Sequence, residues 1–493
     1  MIETMQRLFK TLCAVLALTI ELNAPAFAAD LPAPVELALR RVGVPSSSVA
    51  IVVQEVGTPR ATLAHNASAS MNPASVMKLV TTYAALELLG PAYRWKTEVY
   101  TDGDNLALKG YGDPKLNLQS FWLMLRALRG RGLRDIKGDI ILDRSHFSPQ
   151  PEAPFDDDTY RPYNVAPDAL LVNFKALRFN FIPEAARGTV QVFLEPPMPG
   201  LELVNTLRLV ESSSCPEGRA FRDRIQAEFR PRPPRAAFTG PYPAACGERE
   251  MNVALYHPED YVTGMVRQLW TEMGGWWGGT AREGLVSPAA RLIYTHESEA
   301  LAEAVRDINK FSNNVMARQL YLTLAAETGG APARPERALA SIRQLLTLRG
   351  IKAPELVIEN GSGLSRIERI SAANLALLLQ AAWRSAVMPE FVASLPVVAA
   401  DGTMKKRLRG EGVAGQAHIK TGLLNDARAM AGYVLDRSGK RQVVVMLVNH
   451  PNAPQADAAQ DALLAWVYEG ARGGARAPSR PTSSPRDASP RRP

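Results

Sequence analysis

The chain has 493 residues, 46% hydrophobic and 22% charged, an ordinary globular composition with room for two or three domains. Its net charge of +8 is unevenly placed: residues 471–493 carry six arginines against one aspartate, which leaves only +3 for everything else. With no basic face elsewhere and no apolar run long enough to cross a bilayer, the sequence argues against nucleic-acid binding and against a stable membrane span.

At the start, Arg7 and Lys10 accompany an apolar run over 11–20, and Ala26-Phe27-Ala28 is a small-x-small cleavage sequence. Residues 1–28 therefore read as a secretory signal peptide, and the mature chain is expected to begin near Ala29 outside the cytoplasm. Its removal takes Cys13 and leaves Cys215 and Cys246. In an oxidising compartment these two are expected to pair, closing a loop of about 30 residues worth roughly 3 kcal/mol.

An amphipathic helix is predicted over 32–41, and two strands of a hairpin over 47–53 and 61–64. The next stretch, Asn72-Pro73-Ala74 leading into an apolar run over 75–89, predicts a helix that stops at Gly90-Pro91. Helical spacing puts Lys78 one turn from Ser75, within reach of its hydroxyl. A serine hydroxyl is a poor nucleophile until a neighbour takes its proton, and a lysine can do so once burial or another cation lowers its pKa.

Between about 93 and 284 short β-like runs alternate with Gly, Pro and Asp, interrupted by one helical piece over 116–130; this reads as one or two inserted, mostly-β domains. Helical texture returns at Val286, with helices predicted over 296–308, 315–326, 338–349 and 371–385. Strands over 417–421, 429–435 and 441–448 form an antiparallel meander, and a helix over 457–468 closes the ordered chain. The Pro/Ser/Arg-rich tail from 471 to 493 is expected to be disordered. Strands from both ends can then share one antiparallel sheet, with the terminal helices on one face and the helical middle on the other. The chain divides into 29–92 and 285–470 as two parts of one domain, with 93–284 inserted between them.

Three short motifs occur in order: Ser75-x-x-Lys78, Ser312-Asn313-Asn314 and Lys420-Thr421-Gly422. Each alone is common: Ser75 can be a helix cap, as can Ser312, and K-T-G can be a strand edge. Together, each on the element its chemistry needs, they resemble the serine penicillin-recognising enzymes, the β-lactamases and penicillin-binding proteins. The long insertion after the first motif narrows the resemblance to the low-molecular-mass class C penicillin-binding proteins, the D-Ala-D-Ala carboxypeptidase/endopeptidase family of S13 type. Gly110-Tyr111-Gly112-Asp113-Pro114, Asn360-Gly361-Ser362-Gly363-Leu364-Ser365 and Asp401-Gly402-Thr403 are similar to that family as well.

The resemblance implies an α/β transpeptidase-like fold and, residue by residue, a site. Ser75 would be acylated, Lys78 would be its base, Ser312 would relay the proton to the departing amine, and Asn314 would bind the substrate amide. Lys420 would supply positive potential, Thr421 would hold the substrate carboxylate, and the N–H groups of Ser75 and Leu423, beyond Gly422, would form the oxyanion hole. The implied substrates are peptidoglycan peptides in the periplasm, with β-lactams as acylating inhibitors and no cofactor or metal. One departure is Leu423, where the family usually has Ser or Thr; Arg428 is a candidate to compensate, and the change favours endopeptidase action on cross-links. A β-lactamase and a non-catalytic wall-binding relative remain open as alternatives. The six histidines show no metal spacing, and Gly274-Gly275-Trp276-Trp277-Gly278-Gly279 reads as a packed turn, with a glycan-gripping loop as its alternative.

Overall fold

The computed structural model describes residues 30–151 and 154–471. The signal peptide expected over residues 1–28 and nearly all of the basic tail lie outside the described residues.

The molecule is built on a five-stranded, wholly antiparallel sheet. Its order is Ala417–Leu423, Ala427–Leu435, Arg441–Asn449, Val49–Glu55 and Leu63–His65. The unbroken apolar run of the third of these strands is explained by burial on both faces. Val443, Val445 and Leu447 enter the core shared with the helical middle, while Val444, Met446 and Val448 enter the core under the terminal helices. Those helices, Ala33–Arg41 and Asp457–Tyr468, close the second face through Val35, Leu39, Leu463 and Val467.

On the other face lie Lys78–Leu89, Leu301–Lys310, Asn314–Gly329, Pro335–Leu348 and Ala372–Trp383. The helix after Ser75 is mostly apolar and buried on every side from Lys78 to Leu86, so it runs through the core rather than over it. Tyr433 ties the sheet to this layer, its hydroxyl donating to the Leu379 carbonyl at 2.7 Å and its ring meeting Trp383 at 5.2 Å between centroids. Among the described residues no helix is long and apolar enough to cross a membrane.

The insertion contains sheets of its own. One runs Ala281–Glu283, Ile140–Asp143, Asn105–Gly110, Arg94–Asp102, Arg291–Ala300. Another runs Pro241–Pro243, Arg208–Val210, Thr189–Glu195, Leu177–Glu184, Arg249–Val253, and packs Phe179, Phe181, Phe238 and Tyr242 into an aromatic core. The sulphurs of Cys215 and Cys246 are bonded beside this core, with Cα atoms 4.7 Å apart. Trp277 is buried, its indole N–H donating to the Gly138 carbonyl, so the Gly-Trp stretch is a packed turn at that ring; Trp276 next to it is exposed.

The helix predicted from His296 needs correction. Residues 291–300 form a strand paired antiparallel with Arg94–Asp102, and the helix begins at Leu301. The sheet of the insertion thus reaches Ala300. Ser75 lies in a 3-10 turn, Ala74–Met77, and the α-helix proper starts at Lys78.

Candidate active site

Three separate elements bring the motifs together. The 3-10 turn before the buried helix carries Ser75, the junction between Leu301–Lys310 and Asn314–Gly329 carries Ser312 and Asn314, and the edge strand Ala417–Leu423 carries Lys420, Thr421, Gly422 and Leu423. At the junction Ser312 takes a left-handed backbone, φ 56°, and Asn313 rather than Ser312 caps the following helix, accepting from the Met316 N–H at 3.0 Å.

Lys78 is fully buried. Its Nζ lies 3.0 Å from Ser75 Oγ, 2.6 Å from Asn314 Oδ1 and 2.5 Å from the Ser362 carbonyl oxygen. A neutral amine has two N–H bonds and one lone pair. With Asn314 and Ser362 taking the two hydrogens, the lone pair is left for the Ser75 hydroxyl. Burial first, and then the neighbouring Lys420, hold the amine well below the ordinary lysine range, against the opposing pull of Glu368.

Lys420 is also fully buried, and burial lowers its pKa to about 7. Its Nζ donates to Ser312 Oγ at 2.9 Å and to the Thr421 carbonyl at 2.6 Å. The Thr421 hydroxyl in turn meets that of Thr403 at 2.8 Å. The glycine of K-T-G has a steric reason: a Cβ at Gly422 would lie 2.9 Å from the Ser75 backbone nitrogen. The same holds at Gly363, with φ +76°, where a Cβ would lie 1.9 Å from the Ala74 carbonyl oxygen and 2.7 Å from the Ser75 nitrogen. Two backbones therefore approach the nucleophile turn more closely than any side chain permits.

All the sequence-predicted site residues meet here except the disulfide pair, which lies in the insertion, and Arg428. The Arg428 guanidinium is bonded to the Pro454 carbonyl and to Gln460, so it does not make up for the hydroxyl missing at Leu423. Leu423 itself is 57% exposed.

Sequence reasoning did not assign two members of the site. One is the Ser362 carbonyl, held against Lys78 by a loop in which Asn360 Oδ1 accepts from both the N–H and the hydroxyl of Ser362. The other is Glu368, fully buried, whose one oxygen accepts from the N–H groups of Glu359, Asn360 and Gly361. Glu368 thereby fixes the loop that presents Ser362. Asn360 and Gly361 do belong to a stretch with a legible family likeness; the burial of Glu368 leaves no local signal.

Comparison with known proteins identifies the family. The chain belongs to the D-Ala-D-Ala carboxypeptidase 3 (S13) family, whose model matches residues 33–469. A D-alanyl-D-alanine carboxypeptidase of Actinomadura sp. (strain R39) is 27% identical over 442 residues, covering 85% of this chain and 81% of that protein. The carboxypeptidase DacB of Haemophilus influenzae is 20% identical over 423 residues, covering 82% and 85% of the two chains. The crystal structure of penicillin binding protein 4 from that organism superposes with a TM-score of 0.71 at 18% identity, over 88% of this chain and 99% of its own, so the fold is shared over that length.

Proposed function

We propose that the protein hydrolyses D-Ala-linked peptide bonds of peptidoglycan in the periplasm, as a serine D,D-carboxypeptidase/endopeptidase, and that penicillins acylate the same serine. The observation that carries this reading is the Lys78 amine, buried, doubly hydrogen-bonded elsewhere and 3.0 Å from Ser75 Oγ. Lys78 takes the Ser75 proton as Oγ bonds to the substrate carbonyl carbon. The oxyanion lies against the N–H groups of Ser75 and Leu423, a donor pair of a kind worth about 3 kcal/mol per donor. As the C–N bond breaks, Ser312 passes a proton to the leaving amine, drawing on the Lys420 ammonium 2.9 Å away. The proton that Lys78 took then passes back to Lys420, leaving Lys78 neutral; water attacks the acyl carbon and gives Lys78 a proton, and Lys78 hands it to Ser75 Oγ as the acyl C–O bond breaks, freeing Ser75 and the shortened peptide. Thr421, paired with Thr403, offers hydroxyls to the substrate carboxylate. Leu423 adds none, which favours cross-links, whose leaving group continues into polymer, over a terminal D-Ala.

The test is intact-mass spectrometry after incubation with benzylpenicillin, followed by peptide mapping. A stable adduct on the Ser75 peptide is expected. Ser75→Ala and Lys78→Ala should each slow acylation by at least about 10³-fold without comparable loss of stability. Destruction of penicillin without an adduct would make the protein a β-lactamase, and intact penicillin without an adduct would make it a non-catalytic relative.

A further inference from the structure

From the site opens a cleft of about 1140 Å³, most of whose wall the chemistry above does not use. One end is the turn from Phe311 to Val315, which carries Ser312 and Asn314; the rest is walled by the insertion. Ordinary small-molecule pockets run to about 300–1,000 Å³, so the space exceeds what a terminal dipeptide would fill.

Its walls combine two kinds of group. Trp122 and Phe311 expose 37% and 66% of their surface, and Phe174 lines the same space. Phe174 sits in a run of three non-glycine residues with left-handed backbone: Asn173 at φ 46°, Phe174 at 54° and Lys175 at 51°. Such residues cost on the order of 1–3 kcal/mol each and persist where the surroundings over-determine them, commonly at ligand sites. The polar part of the wall mixes signs. Arg178 lies between Glu195 at 3.6 Å and Glu250 at 3.7 Å, with Asn252 on the neighbouring strand. Four arginines (Arg161, Arg178, Arg222 and Arg249) against three glutamates (Glu195, Glu250 and Glu272) leave the lining close to balanced, a weak field for a polyanion. Planar amide, carboxylate and guanidinium groups next to open aromatic faces suit an uncharged chain of hydroxyl and acetamido groups on flat-faced rings.

We propose that this cleft binds the glycan strand of peptidoglycan next to the peptide being cut. The inference rests on the reading of the chain as a peptidoglycan hydrolase. It places the polymer backbone along the insertion and the scissile peptide at Ser75, so the insertion selects substrate still attached to the wall.

Two measurements test it. In the first, kcat/KM is compared for one stem peptide presented free and presented on its disaccharide, in the full mature protein and in Trp122→Ala. The ratio of the two values should fall by about 2- to 10-fold in the variant, the range for loss of one aromatic contact, and Trp122→Phe should restore most of it. An unchanged ratio overturns the proposal. In the second, peptide-stripped glycan strands with their lactyl carboxyls capped as neutral methylamides are co-sedimented with both proteins. Retention by the wild type that weakens in Trp122→Ala supports the cleft. Absence of retention, or equally strong retention of a glycan-free cross-linked peptide lost with the same variant, overturns it. Because the second measurement needs no catalysis, it remains decisive even if benzylpenicillin leaves Ser75 unmodified and the hydrolase reading fails.

Discussion

In the proposed mechanism the number of protons on one nitrogen, that of Lys78, decides whether the site can work. With three hydrogens the amine donates to Ser75, Asn314 and Ser362 and is inert; with two it can accept from Ser75. The charged groups that act on it are Lys420 and Arg318, which lower its pKa, and Glu368, which raises it; burial outweighs them all. In the proposed mechanism Lys420 has the opposite requirement, because its contribution to Ser312 and to the substrate carboxylate depends on the ammonium form. Its pKa is lowered from the ordinary 10.5 to about 7, so the charge is present below that pH and is lost above it. The acylation rate constant kcat/KM, which reports groups of the free enzyme, should therefore rise on the acid side as Lys78 loses its proton and fall above about pH 7 as Lys420 loses its own. Stopped-flow acylation by a chromogenic penicillin across pH 5 to pH 10 would show it. A rate that stays flat to the alkaline end would mean that Lys420 keeps its proton or does not need it.

The helix Asn314–Gly329 shows how one element serves stability and chemistry together. Asn313 caps it through the Met316 N–H, and the next residue supplies the amide oxygen to Lys78. Asn313→Ala should cost about 1 kcal/mol in urea unfolding and also slow acylation, because the end of the helix that carries Asn314 frays. An unchanged unfolding midpoint would remove the cap from the account. Elements like this were legible in the sequence because their signals are local: the S-x-N turn, the i,i+3 spacing of Ser75 and Lys78, and the continuous apolar strand at Val443–Val448 each sit within a few residues. The strand Arg291–Ala300 was not legible. Leu301, Val305 and Ile308 do have helical spacing, but the residues before them are held extended by pairing with Arg94–Asp102, some two hundred positions earlier. Glu368 escaped for the same reason. Nothing beside it in sequence indicates a buried carboxylate, and its partners Glu359, Asn360 and Gly361 define its role only once the loop has closed.

Across the whole molecule, the insertion and the catalytic unit are joined by a chain of polar contacts that ends near the site. Arg144 lies 3.0 Å from Asp168, 3.2 Å from Glu259 and 3.0 Å from Glu283, collecting three carboxylates from three segments of the insertion. The backbone of Asp168 exchanges two hydrogen bonds of 2.8 Å with the Gln319 side chain, on the helix that begins at Asn314. Asp168 is only 12% exposed at its side chain, and burial raises its pKa above the ordinary 3.8 while Arg144 pulls it back. A carboxyl whose folded pKa lies above its unfolded value disfavours the fold as pH rises through that interval, since the unfolded chain ionises first. Arg144→Ala removes the opposing cation, moves the folded value of Asp168 further up and widens the interval. The variant should therefore lose stability unequally: by roughly 2–4 kcal/mol at pH 7, where the carboxylate must be charged or take up a proton, and by clearly less near pH 4. Urea unfolding at the two pH values separates this from simple loss of packing, which would cost the same at both. If the network also registers the insertion against the catalytic unit, the variant's acylation rate at pH 7 should fall below what its folded fraction explains, because Gln319 and Asn314 lie on one helix.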